Sequence, residues 1–339
     1  MIAGSGPYTW KVSENIVGRG RFSYRLMKNW AKLPEKMAIH QPSDIAVDSY
    51  GRIYLLHRGD PPILVFDQSG RFIESWGHRA LNRPHGMAIV NDIVYLTDSD
   101  DSIVLLYSLD GRPLKIIGTR GYHSDTGGNS YGELAIYPGG PFNRPCKLFP
   151  APWGDLFVAD GEINCQVHRY SNEGELLDSW GTPGKNEIGE FHMVHAIWVS
   201  NDEKLYICDR ENACIHVVTK DFKPLALWRG SLRGPTNIVA DDDDNFYVSQ
   251  FGFHIHQRYR TFTAPEGCGT ALKNSKGERM VNPRAPPQLS VLNKHGETLT
   301  SWSTRKAHGL CVDAEGNIYL ALEDDNIIDK YVLQPTKDE

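Results

Sequence analysis

Short apolar runs separated by polar turns recur along most of the chain. In 43-SDIAVDSYGRIYLLHRGDPPILVFDQSGRFIESWG-77 a short apolar strand is followed by a polar turn, a second strand and a turn near Asp. A third strand, a turn with Gly and a last strand ending in Trp-Gly complete the unit. The same order returns at 85–118, 146–181 and 195–228. A fifth copy begins with TNIVADDDDNFYVSQ at 236 and finishes with LSVLNKHGETLTSW after a long insertion. A sixth, 308–333, supplies three strands. The runs are rich in Val, Ile, Tyr and Phe, which pack well on a pleated surface. A four-stranded unit repeated around a ring predicts an all-β fold, a six-bladed β-propeller spanning residues 1–339 as a single domain. The missing outer strand of the sixth copy is expected from the N-terminal segment of about 1–40, within 22-FSYRLMKNWAKL-33, which would close the ring. Insertions near 119–142 and 257–287, rich in Gly, Pro and polar residues, are expected as loops.

The first strand of each blade lines the central channel, so equivalent positions in the copies form a ring about the axis. The first residues are Ser43, His85, Cys146, His195, Thr236 and His308. Histidine occupies every second blade. Three imidazoles converging on an axis with positions left open suit Zn²⁺, which takes neutral imidazole and keeps one site for water or substrate. Other divalent transition metals also accept three imidazoles. Cys146 shares the ring and is a further candidate ligand, although its blade falls outside the alternation. The competing reading is that the histidines start strands or line a wet channel.

Strand two runs antiparallel to strand one, so its end returns to the face where strand one begins. Residues just after it should overhang the ring: Arg58 in LLHRGD, Glu162 in VADGEIN and Arg210 in ICDRENA. Lys306, two residues before His308, should reach the same mouth. Arginine forks two hydrogen bonds to a carboxylate, so a carboxylate- or acyl-bearing substrate fits. Glu162 beside a metal is a candidate general base. The plainer reading pairs the arginines with Asp60, Asp209 or Glu211, turns Lys306 to solvent and lets Glu162 neutralise it.

Charge and composition narrow the field. With 36 Lys+Arg against 42 Asp+Glu the net charge is -6, which gives no footing for nucleic acid. No apolar run is long enough to cross a bilayer, and the N-terminus lacks a secretory pattern, so a cytoplasmic protein is expected. Six scattered cysteines do not form a dense disulfide framework, although Cys208 and Cys214 flank one hairpin and could approach. His254 and His256 alternate on one strand face and are a second, weaker metal candidate. Asp241–Asp244 reads as a solvated turn, and Asp98, Asp160 and Asp209 as turn-capping residues. Neither a nucleotide-binding Gly-rich loop nor a G-x-S-x-G elbow is present.

The strand-turn grammar resembles NHL-repeat propellers. The combination LLHRGD, RPHG, VADG, VHAI, CDREN and AHGL, within residues 40–333, resembles peptidyl-α-hydroxyglycine α-amidating lyase and its bacterial homologues. The resemblance implies a catalytic zinc on His85, His195 and His308, with Arg58 and Arg210 at the family's HRG and DREN arginines. The family reaction breaks the C–N bond of a carbinolamide to give an amide and glyoxylate. Three departures matter. Glu162 stands where the family motif commonly reads DGY, Lys306 and Ala307 replace Met-Pro, and Gly309 replaces an aspartate that can hold calcium. A structural Ca²⁺ is therefore not carried over, and a carboxylate acts as a base at neutral pH where a phenol needs activation. Peptide amidation itself is not expected.

Three functions follow. The first is a metal-dependent lyase on a small acyl- or carboxylate-bearing molecule, cleaving a C–N or C–O bond, with Glu162 moving the proton and Arg58 and Arg210 orienting the substrate. The second is a metal-dependent hydrolase or hydratase in which Glu162 activates water. The third is a non-catalytic NHL binding propeller. A monomer or small homo-oligomer, acting without nucleic acid or membrane, is expected in either catalytic case.

Overall fold

A computed structural model describes residues 16–252, 272–273, 279–280 and 285–335. His254, His256 and most of the insertion at 257–287 lie outside them. Among the described residues the chain is all-β: six four-stranded blades in a propeller. Blade one runs Pro42–Val47, Ile53–His57, Ile63–Phe66 and Phe72–Trp76, each strand antiparallel to the last. Blades two, three and four repeat this order. The inner strands touch their neighbours in sequence, and that of blade six meets that of blade one, so the ring closes. Among the described residues no helix is long and apolar enough to cross a membrane.

The blades are held by six apolar clusters, one at each blade-to-blade interface. This explains why the middle strands read as unbroken apolar runs. A strand such as Ile53–His57 is covered on both faces by neighbouring blades and is buried throughout. Outer strands alternate less and stay open to solvent, as in Leu176–Trp180. The segment 119–142 carries no strand, as its composition predicts.

Blade six takes its fourth strand from the N-terminal side. Phe22–Met27 pairs antiparallel with Ile327–Leu333, and Ile16–Arg19 adds a fifth strand outside it that the repeat pattern did not foretell. Tyr24, fully buried, fills the interface between blades five and six. Truncating a buried aromatic costs about 3–5 kcal/mol. Tyr24→Ala should lose that much in denaturant unfolding, because the ring's closure depends on this strand.

The recurrent aspartates fix where each inner strand begins. Asp98 accepts from the backbone N–H groups of Asn82 and Arg83, Asp160 from Asn143, and Asp209 from His192 and Met193. Each thus ties the end of a second strand to the segment entering its own blade, two or three residues before the residue that faces the axis.

Candidate active site

Five of the six inner strands are irregular where they reach the axis. The ladder register shifts between Pro42 and Asp44, Pro84 and Met87, Pro145 and Lys147, Val194 and Ala196, and Pro235 and Asn237. Ser43, His85, Cys146, His195 and Thr236 therefore sit in bulges, which re-aim a side chain out of the pleat. At Ser43, Cys146 and Thr236 the carbonyl turns sideways toward the preceding blade. In four of these strands a proline heads the strand, tolerable because an inner strand is an edge.

Those sideways carbonyls orient the histidines. His85 Nδ1 lies 2.9 Å from Cys146 O, His195 Nδ1 2.7 Å from Thr236 O, and His308 Nδ1 2.5 Å from Ser43 O. A carbonyl accepts, so each Nδ1 carries the proton and donates it, and each Nε2 presents a lone pair to the axis. The three rings form a nearly equilateral triangle with centroids 4.8, 4.9 and 5.1 Å apart. All three residues are buried. Burial, followed by the charges of Arg210 and the neighbouring histidines, pushes the His195 pKa well below its usual value. Burial, followed by the charges of His85 and Arg58, does the same to His308.

Two observations test whether these residues fit a metal. His195 Nε2 is buried without a hydrogen-bond partner among the described residues. His85 Nε2 faces Glu162 Oε1 at 3.1 Å, a lone pair against a carboxylate oxygen. Two acceptors at that distance repel unless a cation or a proton lies between them. The residues fit a divalent cation, and the three histidines offer one ligand atom each within 4.8 Å of one another.

Glu162 is brought to the ring. Its Oε1 is also 3.7 Å from His195 Nε2 and 3.6 Å from an Arg210 guanidinium nitrogen. Burial raises its pKa, but a proton shared with His85, followed by the charge of Arg210, outweighs burial and holds it below the usual carboxylate range. Arg210 is buried, with Nε donating to Glu211 at 2.9 Å. Arg58 reaches the same mouth but pairs with Glu323, not Asp60, which instead accepts from the Arg79 backbone. Lys306 turns neither to open solvent nor to Glu162: its ammonium lies 3.2 Å from Glu323 and 3.3 Å from Asp324. Cys146 lies on the ring near His85 and Glu162, its thiol pKa raised well above normal by burial and then by the Glu162 charge. Cys208 and Cys214 form no disulfide with each other, because Cys208 faces Ile215 across the ladder and Cys214 faces Asp209.

Sequence reasoning missed two residues. Phe251 stands 5.7 Å from the His308 ring and 6.3 Å from that of His195, with the Lys306 ammonium 4.5 Å from its face. Glu323 ties Arg58 to Lys306. Both directly follow strand two of their blades, the position that marks Arg58 and Arg210. Burial raises the Glu323 pKa, but the Lys306 and Arg58 charges overcome this and bring it down from 4.5 to about 2. A depressed carboxyl stabilises the fold above its unfolded pKa and loses that contribution as pH falls through the folded value. Thermal stability should therefore drop between pH 4.5 and about 2, and Glu323→Gln should flatten that part of the profile.

No protein-family model matches the chain. Human NHL repeat-containing protein 3 is 27% identical over 241 residues, covering 66% of this chain and 66% of that protein. Peptidyl-alpha-hydroxyglycine alpha-amidating lyase 1 of Drosophila melanogaster is 30% identical over 158 residues, covering 42% of this chain and 26% of that protein. The match to this chain thus spans just under two thirds of the first relative and about a quarter of the second. Among solved structures, a gluconolactonase from Xanthomonas campestris aligns with TM-score 0.59 at 12% identity, covering 98% of this chain and 99% of its own. That last likeness shows the propeller fold.

Proposed function

We propose that the chain is a metal-dependent lyase, with zinc the expected ion, acting on a small acyl- or carboxylate-bearing molecule. The observation that carries this reading is the set of three buried imidazoles, each with its Nδ1 proton committed to a backbone carbonyl and its Nε2 lone pair turned to the axis. His85, His195 and His308 would hold the ion. What a bound Zn²⁺ would supply there is Lewis-acid polarisation of a substrate oxygen. The similarity to an amidating lyase supports an enzyme of this class.

The chain's own groups divide the remaining work. At a carbinol carbon, Glu162 takes the hydroxyl proton at Oε1. The oxygen's electron pair then forms a carbonyl as the C–N or C–O bond breaks, and the leaving nitrogen or oxygen recovers the proton from the same carboxyl. Arg210 lies beside Glu162, where it can hold a substrate carboxylate or acyl oxygen by paired N–H donors. Arg58 also lines a groove of about 460 Å³ with Arg79, Asn82, Arg120 and the acids Asp60 and Asp101. Phe251 sets an apolar ring beside His308 and His195.

A panel of N-acyl α-hydroxyglycines and small hydroxy- or acyloxy-carboxylates, incubated in H₂¹⁸O, tests the assignment. A lyase forms a new carbonyl and leaves the departing amide or alcohol free of ¹⁸O. One ¹⁸O in a carboxylic acid product would show hydrolysis, the second reading, which the carboxylate of Glu162 in place of a phenol favours. Turnover of nothing in the panel would argue against this substrate class.

A further inference from the structure

The channel has a second storey directly beneath the histidines. One residue further along each inner strand stand Asp44, Gly86, Lys147, Ala196, Asn237 and Gly309. The alternation reverses here. Where the upper ring carries histidine, the lower ring carries glycine or alanine, and the odd blades carry long polar side chains. The Lys147 ammonium lies 2.9 Å from Asp44 Oδ2 and 2.8 Å from Asn237 Oδ1. Asn237 Nδ2 donates to Asp44 Oδ1 at 2.9 Å, so blades one, three and five are tied to one another across the axis. The Asp44 carboxylate also accepts from the Met87 and Ile45 N–H groups, and Asn237 Oδ1 from that of Ile238. All three are at most 4% exposed, which shuts the trio away from solvent.

The small residues make room for it. A Cβ on Gly86 would fall 2.2 Å from Cys146 O and 2.8 Å from Lys147 Cα, and one on Gly309 2.5 Å from Asp44 Cα. Stability alone explains the trio poorly, because a buried ion pair gives back in desolvation much of what it gains in attraction. Its covalent neighbours explain it better. Asp44, Lys147 and Asn237 directly follow Ser43, Cys146 and Thr236, whose carbonyls hold the Nδ1 protons of His308, His85 and His195.

We infer that Asp44, Lys147 and Asn237 are positioning residues: an internal strut that sets the three carbonyls, and through them the three imidazoles, at the spacing a metal requires. This rests on the tri-histidine reading above. Groups that orient metal-bound histidines typically change metal affinity ten- to a hundredfold when removed. Each member has its own imidazole, so the losses should be selective. Freeing blade three should loosen His85, and freeing blade five should loosen His195.

The test uses the full chain loaded with zinc for affinity, by chelator competition, and with cobalt for the shifted imidazole N–H signals in proton NMR. Asp44→Asn with Lys147→Met removes the ammonium bridge at constant net charge, and Asn237→Ala releases blade five alone. Ile53→Val, a fully buried apolar change away from the axis, controls for general loosening. The expected result is a zinc Kd raised about ten- to a hundredfold in both strut variants. The double variant should broaden the His85 and His308 N–H signals by solvent exchange, Asn237→Ala that of His195 alone, and Ile53→Val none. Strut variants that bind zinc as the parent does, or broaden every signal alike, overturn the inference while leaving the metal site standing. A parent protein that binds no metal overturns both. If the double variant does not fold, Asn237→Ala decides by the same criteria.

Discussion

The protein purified without chelators is expected to bind one equivalent of zinc, and His85→Ala, His195→Ala and His308→Ala are each expected to lose it. Each substitution removes one of three nitrogens aimed at the ion, so the loss should be at least about a hundredfold, above that of an orienting group. Binding to the folded state stabilises it by about 4 kcal/mol at a thousandfold excess over Kd. Zinc should therefore raise the parent's Tm by several degrees and leave the three variants unmoved. Elemental analysis and melting curves read the two effects separately. No metal after growth in added zinc would leave a propeller whose histidines merely line a channel, the third reading.

Glu162→Gln should keep the ion and lose the chemistry. The amide preserves shape but cannot take a proton, and general acid–base catalysis is typically worth about 10²–10⁴-fold in rate. Turnover on any substrate found should fall by that factor with zinc content intact. Glu162→Asp, which retains the acid on a shorter arm, should recover part of it. A Glu162→Gln protein that turns over normally would move the proton-handling role elsewhere. The acidic limb of the kcat/KM profile should vanish with Glu162→Gln if this carboxyl is the base.

The fold was legible because a propeller writes itself as a repeat. Strand alternation named the blades, and the three-stranded last copy pointed to a closing strand within residues 22–33, where Phe22–Met27 supplies it. The upper ring was legible for the same reason, since stacking the copies puts His85, His195 and His308 in register. What escaped had no periodic mark. Phe251 and Glu323 occupy the position of Arg58 and Arg210, but one is apolar and the other reads as a turn acid, so neither type draws notice alone. The partner of Arg58 is 265 residues away, joined through ring closure rather than sequence neighbourhood. The lower storey was hidden more deeply. Asp44, Lys147 and Asn237 look like ordinary residues of three strands, and they become one group only when the bulges swing them to a shared axis.

Ring closure also has a bearing on biosynthesis. The strand that completes blade six leaves the ribosome about 300 residues before its partner, Ile327–Leu333. At roughly 5–20 residues per second that is a wait of about 15–60 s, during which Phe22–Met27 is an unpaired edge exposed to other chains. His308 arrives in the same late segment. The triad is thus complete only late in synthesis, so metal capture would mark a nearly finished molecule, and a nascent chain released early would offer the cell a sticky strand and no complete site.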